Sequence, residues 1–112
     1  MMSNLSLIVS IVRKGWGSTV MEATVRAGAG GGTVVFGRGS GINEQGKIFG
    51  MSIEPEKEIV LTLTSPERVE GMLEAIVAAA KLHDAGRGIA FVVPVEQVVG
   101  VARFMKQAKD RG

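Results

Sequence analysis

The chain has 112 residues, of which 46% are hydrophobic and 21% are charged, and this balance predicts one globular domain over residues 1–112. Its formal net charge of +2 is too small to indicate a nucleic-acid-binding protein, and the lack of cysteine excludes disulfides and thiolate metal sites. The apolar run 5–12 is too short to cross a membrane, and no basic start or small-residue cleavage site surrounds it, so we expect no signal peptide and a cytoplasmic location.

The first third of the chain predicts a strand, a helix and a second strand. Residues 5–12 carry apolar side chains on both faces, which is typical of a central strand that is covered on both sides. A helix is predicted to follow, with Thr19 and Glu22 as a capping box and Gly28 at its end. Residues 33–36 are β-branched and aromatic, and they predict the second strand.

The segment 37–53 shows neither helical nor strand periodicity. At 17 residues it is long for a connection in a compact domain, which indicates that it is either functional or mobile. Glu54, Glu56 and Glu58 come next at alternating positions, and we interpret them as the solvated base of this loop rather than as catalytic carboxylates. Residues 59–64 alternate cleanly and predict the third strand.

The last part of the chain predicts a helix and a fourth strand. Residues 65–67, with the sequence Ser-Pro-Glu, are the clearest helix start, and an apolar stripe at helical spacing continues to Ala80. Residues 89–93 predict the fourth strand, and Pro94 disfavours its continuation, although Val95 and residues 98–101 could form an edge extension. A short tail helix is predicted within 102–109.

A Gly-Arg-Gly tripeptide lies beside a predicted strand in each half of the chain. The two copies are Gly37, Arg38 and Gly39, and Gly86, Arg87 and Gly88. Glycines allow close backbone approach, and successive N–H groups beside an arginine form an anion-binding concavity. We therefore expect the two loops to meet at one edge of the fold and to bind a phosphate or nucleotide. The alternative for the first copy is a strand-ending turn with a solvated arginine, and for the second it is an ordinary helix exit.

The order strand, helix, strand, long loop, strand, helix, strand predicts a particular α+β fold. Right-handed crossovers place both helices on one face of a four-stranded antiparallel sheet, which is the ferredoxin-like βαββαβ sandwich. The bare face of that sheet is mostly aliphatic, so we expect another subunit to cover it.

On these features the chain resembles the PII nitrogen-regulatory signalling family. The resemblance is carried by residues 11–23 (IVRKGWGSTVMEA), 36–38 (FGR) and 86–92 (GRGIAFV). It implies a homotrimer that signals rather than catalyses, with an adenine nucleotide (ADP, AMP or ATP) in the cleft between subunits. It also implies that the long loop, 38–53, reaches a regulated enzyme or membrane transporter. The positions that match the family's binding loops are Gly37, Arg38, Gly86, Arg87 and Gly88.

The sequence departs from the family's pattern at several charged or polar positions. Gly39 stands where the family has a glutamine that helps hold magnesium and 2-oxoglutarate, and Ile89 stands where it has a lysine. The family's paired arginines fall at Gly100 and Ala102, with Arg103 nearby. The chain has no tyrosine, so the tyrosine that is modified in the family is excluded. Because the missing cations would meet the outer phosphates, a smaller or different ligand is favoured over ATP with 2-oxoglutarate.

Other functions on the same fold require residues that this sequence lacks or places badly. His83 is the only histidine, which excludes a histidine metal cluster, and its place at a predicted helix exit gives no basis for a Ser/His/Asp triad. An acyl-phosphate-type hydrolase needs an anion loop after the first strand and a water-orienting asparagine, whereas this chain offers 14–17 (KGWG), Asn4 and Asn43. Single-stranded RNA binding needs aromatic residues on the central strands, and they have none. We expect Trp16 to pack on a neighbour. A structural trimer without a ligand remains an open alternative.

Overall fold

The computed structural model of the chain describes residues 4–41, 46–48 and 51–100. These residues form six strands and two α-helices, and a short 3-10 helix at Pro66–Arg68 leads into the second α-helix. The elements are β1 (Leu5–Arg13), α1 (Gly17–Arg26), β2 (Thr33–Arg38), β3 (Gly46–Ile48), β4 (Met51–Ile53), β5 (Glu56–Thr64), α2 (Val69–Ala80) and β6 (Gly88–Val95). The tail helix predicted within 102–109 lies outside the described residues.

Four of the strands form one antiparallel sheet in the order β2-β5-β1-β6. At its centre, Ser10 of β1 pairs with Val60 of β5 on one side and with Ala90 of β6 on the other. Strands β2 and β6 are the two edges, and both helices pack on the same face of the sheet. The predicted ferredoxin-like sandwich is therefore confirmed.

The core lies between this face of the sheet and the two helices. Ile8 and Val60 point from the central strands towards Val20 of α1 and towards Met72 and Ile76 of α2, and all five side chains are fully buried. Burying a side chain of this size contributes about 1.5–3 kcal/mol to folding, so the small aliphatic core is the main stabilising feature.

The opposite face of the sheet is also apolar but is open to solvent along β6. Alternation along the strands places Ile11, Ile59 and Ile89 in one row across this face, and Ile89 is 58% exposed. Phe91, two residues further along β6, is 43% exposed. The two faces of the sheet therefore differ in cover, and the covered face is the less apolar one, because it also carries the buried Ser10, Thr62 and Thr64.

The segment 37–53, for which the sequence predicts no strand beyond the end of β2, contains a short hairpin. Gly46 of β3 pairs with Ile53 of β4, and Ile48 pairs with Met51, in antiparallel register. The sequence does not reveal this hairpin because strands of three residues are too short to show an alternating pattern.

The helix ends also differ in detail from the predicted ones. Helix α1 begins at Gly17 without a side-chain cap, so the capping box of Thr19 and Glu22 is wrong. Ser65 precedes the second helix in extended backbone, and its side chain makes no capping hydrogen bond. Helix α2 ends at Lys81, whose φ of +56° is left-handed, instead of at a glycine.

Candidate anion-binding site at the Gly-Arg-Gly loops

The first Gly-Arg-Gly loop begins as the last residues of an edge strand. Gly37 and Arg38 pair with Lys57 and Glu56 at the start of β5, and the N–H of Gly39 donates to the carbonyl oxygen of Pro55 at 3.1 Å. The backbone is therefore fixed as far as Gly39, whereas the side chain of Arg38 is exposed. This arrangement holds a guanidinium group at the base of the segment that contains β3 and β4.

A cavity of about 300 Å³ lies beside this loop and extends to the second one. Residues 37–41 form one wall, Gly88 and Ile89 form another, and Ile11 and Ile59 form the floor. Lys57 also lines it, so the cavity combines two cationic side chains with an aliphatic floor. An aliphatic surface with cations at its rim suits a small organic anion.

A second cavity, of about 430 Å³, lies next to Arg38 and contains an ion pair. The Lys14 Nζ atom is 2.8 Å from the Glu56 Oε2 atom, and both side chains are largely exposed. The hydrogen bond between them, together with their opposite charges, raises the pKa of Lys14 and lowers the pKa of Glu56. Glu56 therefore neutralises Lys14, and Lys14 contributes little net charge to the site.

The second Gly-Arg-Gly loop is packed tightly against the central strand. Gly88 has a φ of +140°, and a Cβ atom at this position would collide with the carbonyl oxygen of Ile11. Gly86 has a φ of +76°, and a Cβ atom there would lie 2.8 Å from the guanidinium of Arg13. Glycine is favoured at both positions by the positive φ, and at Gly88 also by the close approach to the backbone of β1, whereas the Arg13 side chain beside Gly86 could move aside.

The side chain of Arg87 lies on the helix side of the sheet and not in the cavity. Its guanidinium carbon is 4.0 Å from the centre of the Trp16 ring, and its Nε atom donates to the carbonyl oxygen of Ala80 at 3.3 Å. Its Nη2 atom is buried without a hydrogen-bond partner in the described part of the chain. Trp16 packs on a neighbour, as expected, and that neighbour is Arg87.

The structure thus brings together only part of the predicted site within one chain. The residues that share the cavity are Gly37, Arg38, Gly39 and Gly88. Gly86 and Arg87 belong to the same loop as Gly88 but lie beyond the cavity wall. The role of all six residues in ligand binding stays a prediction.

Glu58 is the residue whose role the sequence did not reveal. Its carboxylate is buried, with Oε2 accepting from the N–H of Gly15 at 2.7 Å and Oε1 accepting from the N–H of Gly17 at 2.8 Å. The interpretation of Glu58 as part of a solvated loop base is therefore wrong, although Glu54 and Glu56 are exposed. Extending the alternation of residues 59–64 back by one position places Glu58 on the face of Val60, Thr62 and Thr64, which is the buried face in the structure although the opposite face is more apolar in sequence.

This carboxylate also explains why α1 needs no side-chain cap of its own. The first N–H groups of a helix lack partners within the helix, and a negative charge is favourable at this end. Glu58, on the neighbouring strand β5, supplies both the acceptor oxygens and the negative charge. Because it occupies the N–H groups of Gly15 and Gly17, the 14–17 loop does not offer them to an acyl phosphate, which argues against the hydrolase alternative.

Two further properties bear on the possible functions. Within the described ranges, no group of three or more histidine, cysteine, aspartate or glutamate side chains is placed to hold a metal ion. No α-helix in the same ranges is long and apolar enough to cross a membrane.

Residues 5–104 match the family model described as Nitrogen regulatory protein P-II. A solved structure, that of Arabidopsis thaliana PII bound to citrate, is similar to this chain with a TM-score of 0.70 and 27% sequence identity. The alignment covers 89% of this chain and 85% of the Arabidopsis chain. Among curated proteins, none matches the sequence.

Proposed function

Because the chain belongs to the P-II nitrogen regulatory protein family, we propose that it is a ligand-responsive regulator rather than an enzyme. It binds an adenine nucleotide or a similar small organic anion at the clefts between subunits, beside the two Gly-Arg-Gly loops. It then acts on a partner enzyme or membrane transporter through the segment 38–53, in the cytoplasm and in connection with nitrogen regulation.

The cavity between the two loops is the observation that carries this proposal. The exposed Arg38 and the largely buried Lys57 line it together with an aliphatic floor, and the backbone of both glycine loops contributes to its walls. Charge-assisted hydrogen bonds from such cations to phosphate or carboxylate are stronger and more specific than neutral ones. Citrate, which is bound in the Arabidopsis PII structure, is an anion of this kind.

The ligand and the partner are linked in the proposal through Arg38. Arg38 is the last residue of β2, so it lies between the cavity and the segment that leads to the β3–β4 hairpin. A ligand that binds Arg38 favours those arrangements of the following segment that keep the guanidinium in the cavity, and it shifts the population towards them.

A homotrimer is part of the proposal because the open face of the sheet is apolar. Ile89 and Phe91 are about half exposed on this face in a single chain, and contact between subunits would remove them from water. Light scattering is expected to give a mass three times the 11.8 kDa of one chain. A monomer would contradict the proposal that the ligand is held between subunits.

The direct test is isothermal titration calorimetry of the purified oligomer with ATP, ADP, AMP and citrate. We expect at least one of them to bind, and Arg38→Ala to weaken its binding about tenfold through the loss of one charge-assisted contact. The matched control is Arg26→Ala, which removes an exposed arginine at the end of α1. If none of the four ligands binds, the proposal fails and the alternative of a structural trimer without a ligand is favoured.

A further inference from the structure

The turn between β1 and α1 is held by one buried carboxylate. Glu58 is 9% exposed, and its two oxygens accept the N–H groups of Gly15 and Gly17 on either side of Trp16. A Cβ atom on Gly17 would collide with the Oε1 atom of Glu58, and Gly15 has a φ of +95°. The turn is therefore built around this carboxylate, and the backbone of Trp16 is fixed at both of its neighbours.

The Trp16 ring is in turn the main surface that holds Arg87. Apart from the stacking at 4.0 Å, the Arg87 side chain has one hydrogen bond in the described structure, from Nε to the Ala80 carbonyl oxygen at 3.3 Å. The Nη2 atom is buried and finds no acceptor among the described residues. A guanidinium with five N–H donors and a single long hydrogen bond depends on the aromatic face for its position.

We infer that Glu58 is a positioning residue for Arg87 and acts through Trp16. The carboxylate fixes the turn, the turn fixes the indole, and the indole holds Arg87 and with it the second Gly-Arg-Gly loop, whose Gly88 lines the cavity. Glu58 contacts neither Arg87 nor the cavity, so its effect on binding passes through the indole and this loop. This inference rests on the proposed function in one respect, because it links the position of Arg87, which lies outside the cavity, to ligand binding through the loop that carries Gly88.

The fluorescence of Trp16 tests, without any ligand, whether Glu58 fixes the position of the indole ring. Trp16 is the only tryptophan and the chain has no tyrosine, so the intrinsic emission reports this one ring. In Glu58→Gln, an amide N–H₂ group replaces one acceptor oxygen and faces a backbone donor, so the turn loosens. We expect a shifted emission maximum and stronger quenching by acrylamide, as in Arg87→Met, whereas Glu70→Gln, an exposed glutamate of α2, changes neither.

A double-mutant cycle with ADP as the probe tests whether Glu58 and Arg87 affect ligand binding by the same route. We expect Glu58→Gln and Arg87→Met each to weaken ADP binding about tenfold by displacing the loop that carries Gly88, and the double variant to bind no more weakly than Arg87→Met alone. Additive losses would overturn the inference, because Glu58 would then act on the site by another route. If Glu58→Gln does not fold, Trp16→Leu takes its place in the cycle, with the same expectation.

The two proposals fail in different ways. If the wild-type protein does not bind ADP, ATP, AMP or citrate, the proposed function fails, and the fluorescence of Glu58→Gln alone decides whether Glu58 positions Arg87 through the indole. If the wild type binds ADP but Glu58→Gln leaves Trp16 emission and quenching unchanged, the proposed function stands and the positioning role is wrong.

Discussion

The two Gly-Arg-Gly tripeptides of this chain are identical in sequence, but their surroundings differ sharply. Gly39 of the first copy has open space around it, and Arg38 is exposed beside a cavity. In the second copy, Gly88 is pressed against β1, and Arg87 is stacked on Trp16. The tripeptide gives the backbone its freedom, but the neighbouring elements decide where the guanidinium lies.

The difference does not follow from the position of each copy in the sheet, because both lie on edge strands, the first at the end of β2 beside β5 and the second at the start of β6 beside β1. It follows from the helices. The second copy follows the turn that returns from α2, and Arg87 contacts Ala80 of α2 and Trp16 at the start of α1, so this loop is packed against the helices. The first copy leads instead into the segment that contains β3 and β4. The first copy is therefore free to respond to a ligand, whereas the second is part of the scaffold.

The strongest test of this comparison is the replacement of one glycine in each loop by alanine. Gly88→Ala is expected to destabilise the protein by about 3 kcal/mol, because it adds left-handed backbone strain and a collision with the Ile11 carbonyl. Gly39→Ala meets no atom within 4 Å and should change stability by less than about 0.5 kcal/mol. Urea unfolding of both variants measures the difference, and equal effects would refute the contrast between the loops.

The next largest effect on stability is expected from removal of the Glu58 carboxylate. Glu58→Ala leaves the N–H groups of Gly15 and Gly17 without their acceptors in a buried turn, at a cost of about 2–3 kcal/mol. Thermal and urea unfolding measure the loss. Glu22→Ala, an exposed glutamate of α1, is the control, and a loss no larger than that of the control would mean that Glu58 does not hold the turn.

A smaller effect should separate the two arginines. Arg87→Ala removes the stacking on Trp16 and the hydrogen bond to Ala80, and we expect it to lower the free energy of unfolding by about 1–2 kcal/mol. Arg38→Ala removes an exposed side chain and should change it by less than about 0.5 kcal/mol. The comparison would be wrong if urea unfolding ranked the two arginines in the opposite order.

The smallest expected effect on stability comes from the ion pair of Lys14 and Glu56 beside the first loop, and this effect depends on pH. The Lys14 hydrogen bond holds the pKa of Glu56 below 4.5, so the pair's contribution to stability is lost as the pH falls through that lowered pKa. Glu56 likewise raises the pKa of Lys14 above 10.5, so the contribution is also lost as the pH rises through that raised pKa. Between these limits, the stability difference between wild type and Glu56→Gln should be small and constant.

Comparing unfolding curves of the two proteins across this range tests the prediction. A difference that persists in acid, below the lowered pKa of Glu56, would show that Glu56 acts through contacts other than its charge.

Much of the fold could be predicted because the long elements carry strong patterns. The alternation in residues 59–64 and the apolar stripe that continues to Ala80 identify β5 and α2, and the strand and helix order then leaves few topologies. The family resemblance seen at residues 11–23 and in the glycine loops is confirmed by the match over residues 5–104. Helix ends were less predictable, because the partner that satisfies the start of α1 lies on β5, 41 residues away in sequence.

The candidate site could be predicted only in part, since a tripeptide does not specify where its central side chain points. The convergence of Gly37, Arg38 and Gly88 on one cavity follows from the pairing of β2, β5, β1 and β6. The stacking of Arg87 on Trp16 depends on the tertiary packing of two turns that are distant in the sequence, and no local pattern encodes it.

The way in which α2 ends has a consequence for engineering. A lysine in the left-handed region is less favourable than a glycine by about 1 kcal/mol, although its charge suits the negative end of the helix dipole. The thermostability of the protein can therefore be raised at a single position at the end of α2. Lys81→Gly would do so without changing either loop, which makes it a suitable background for variants that would otherwise be too unstable to purify.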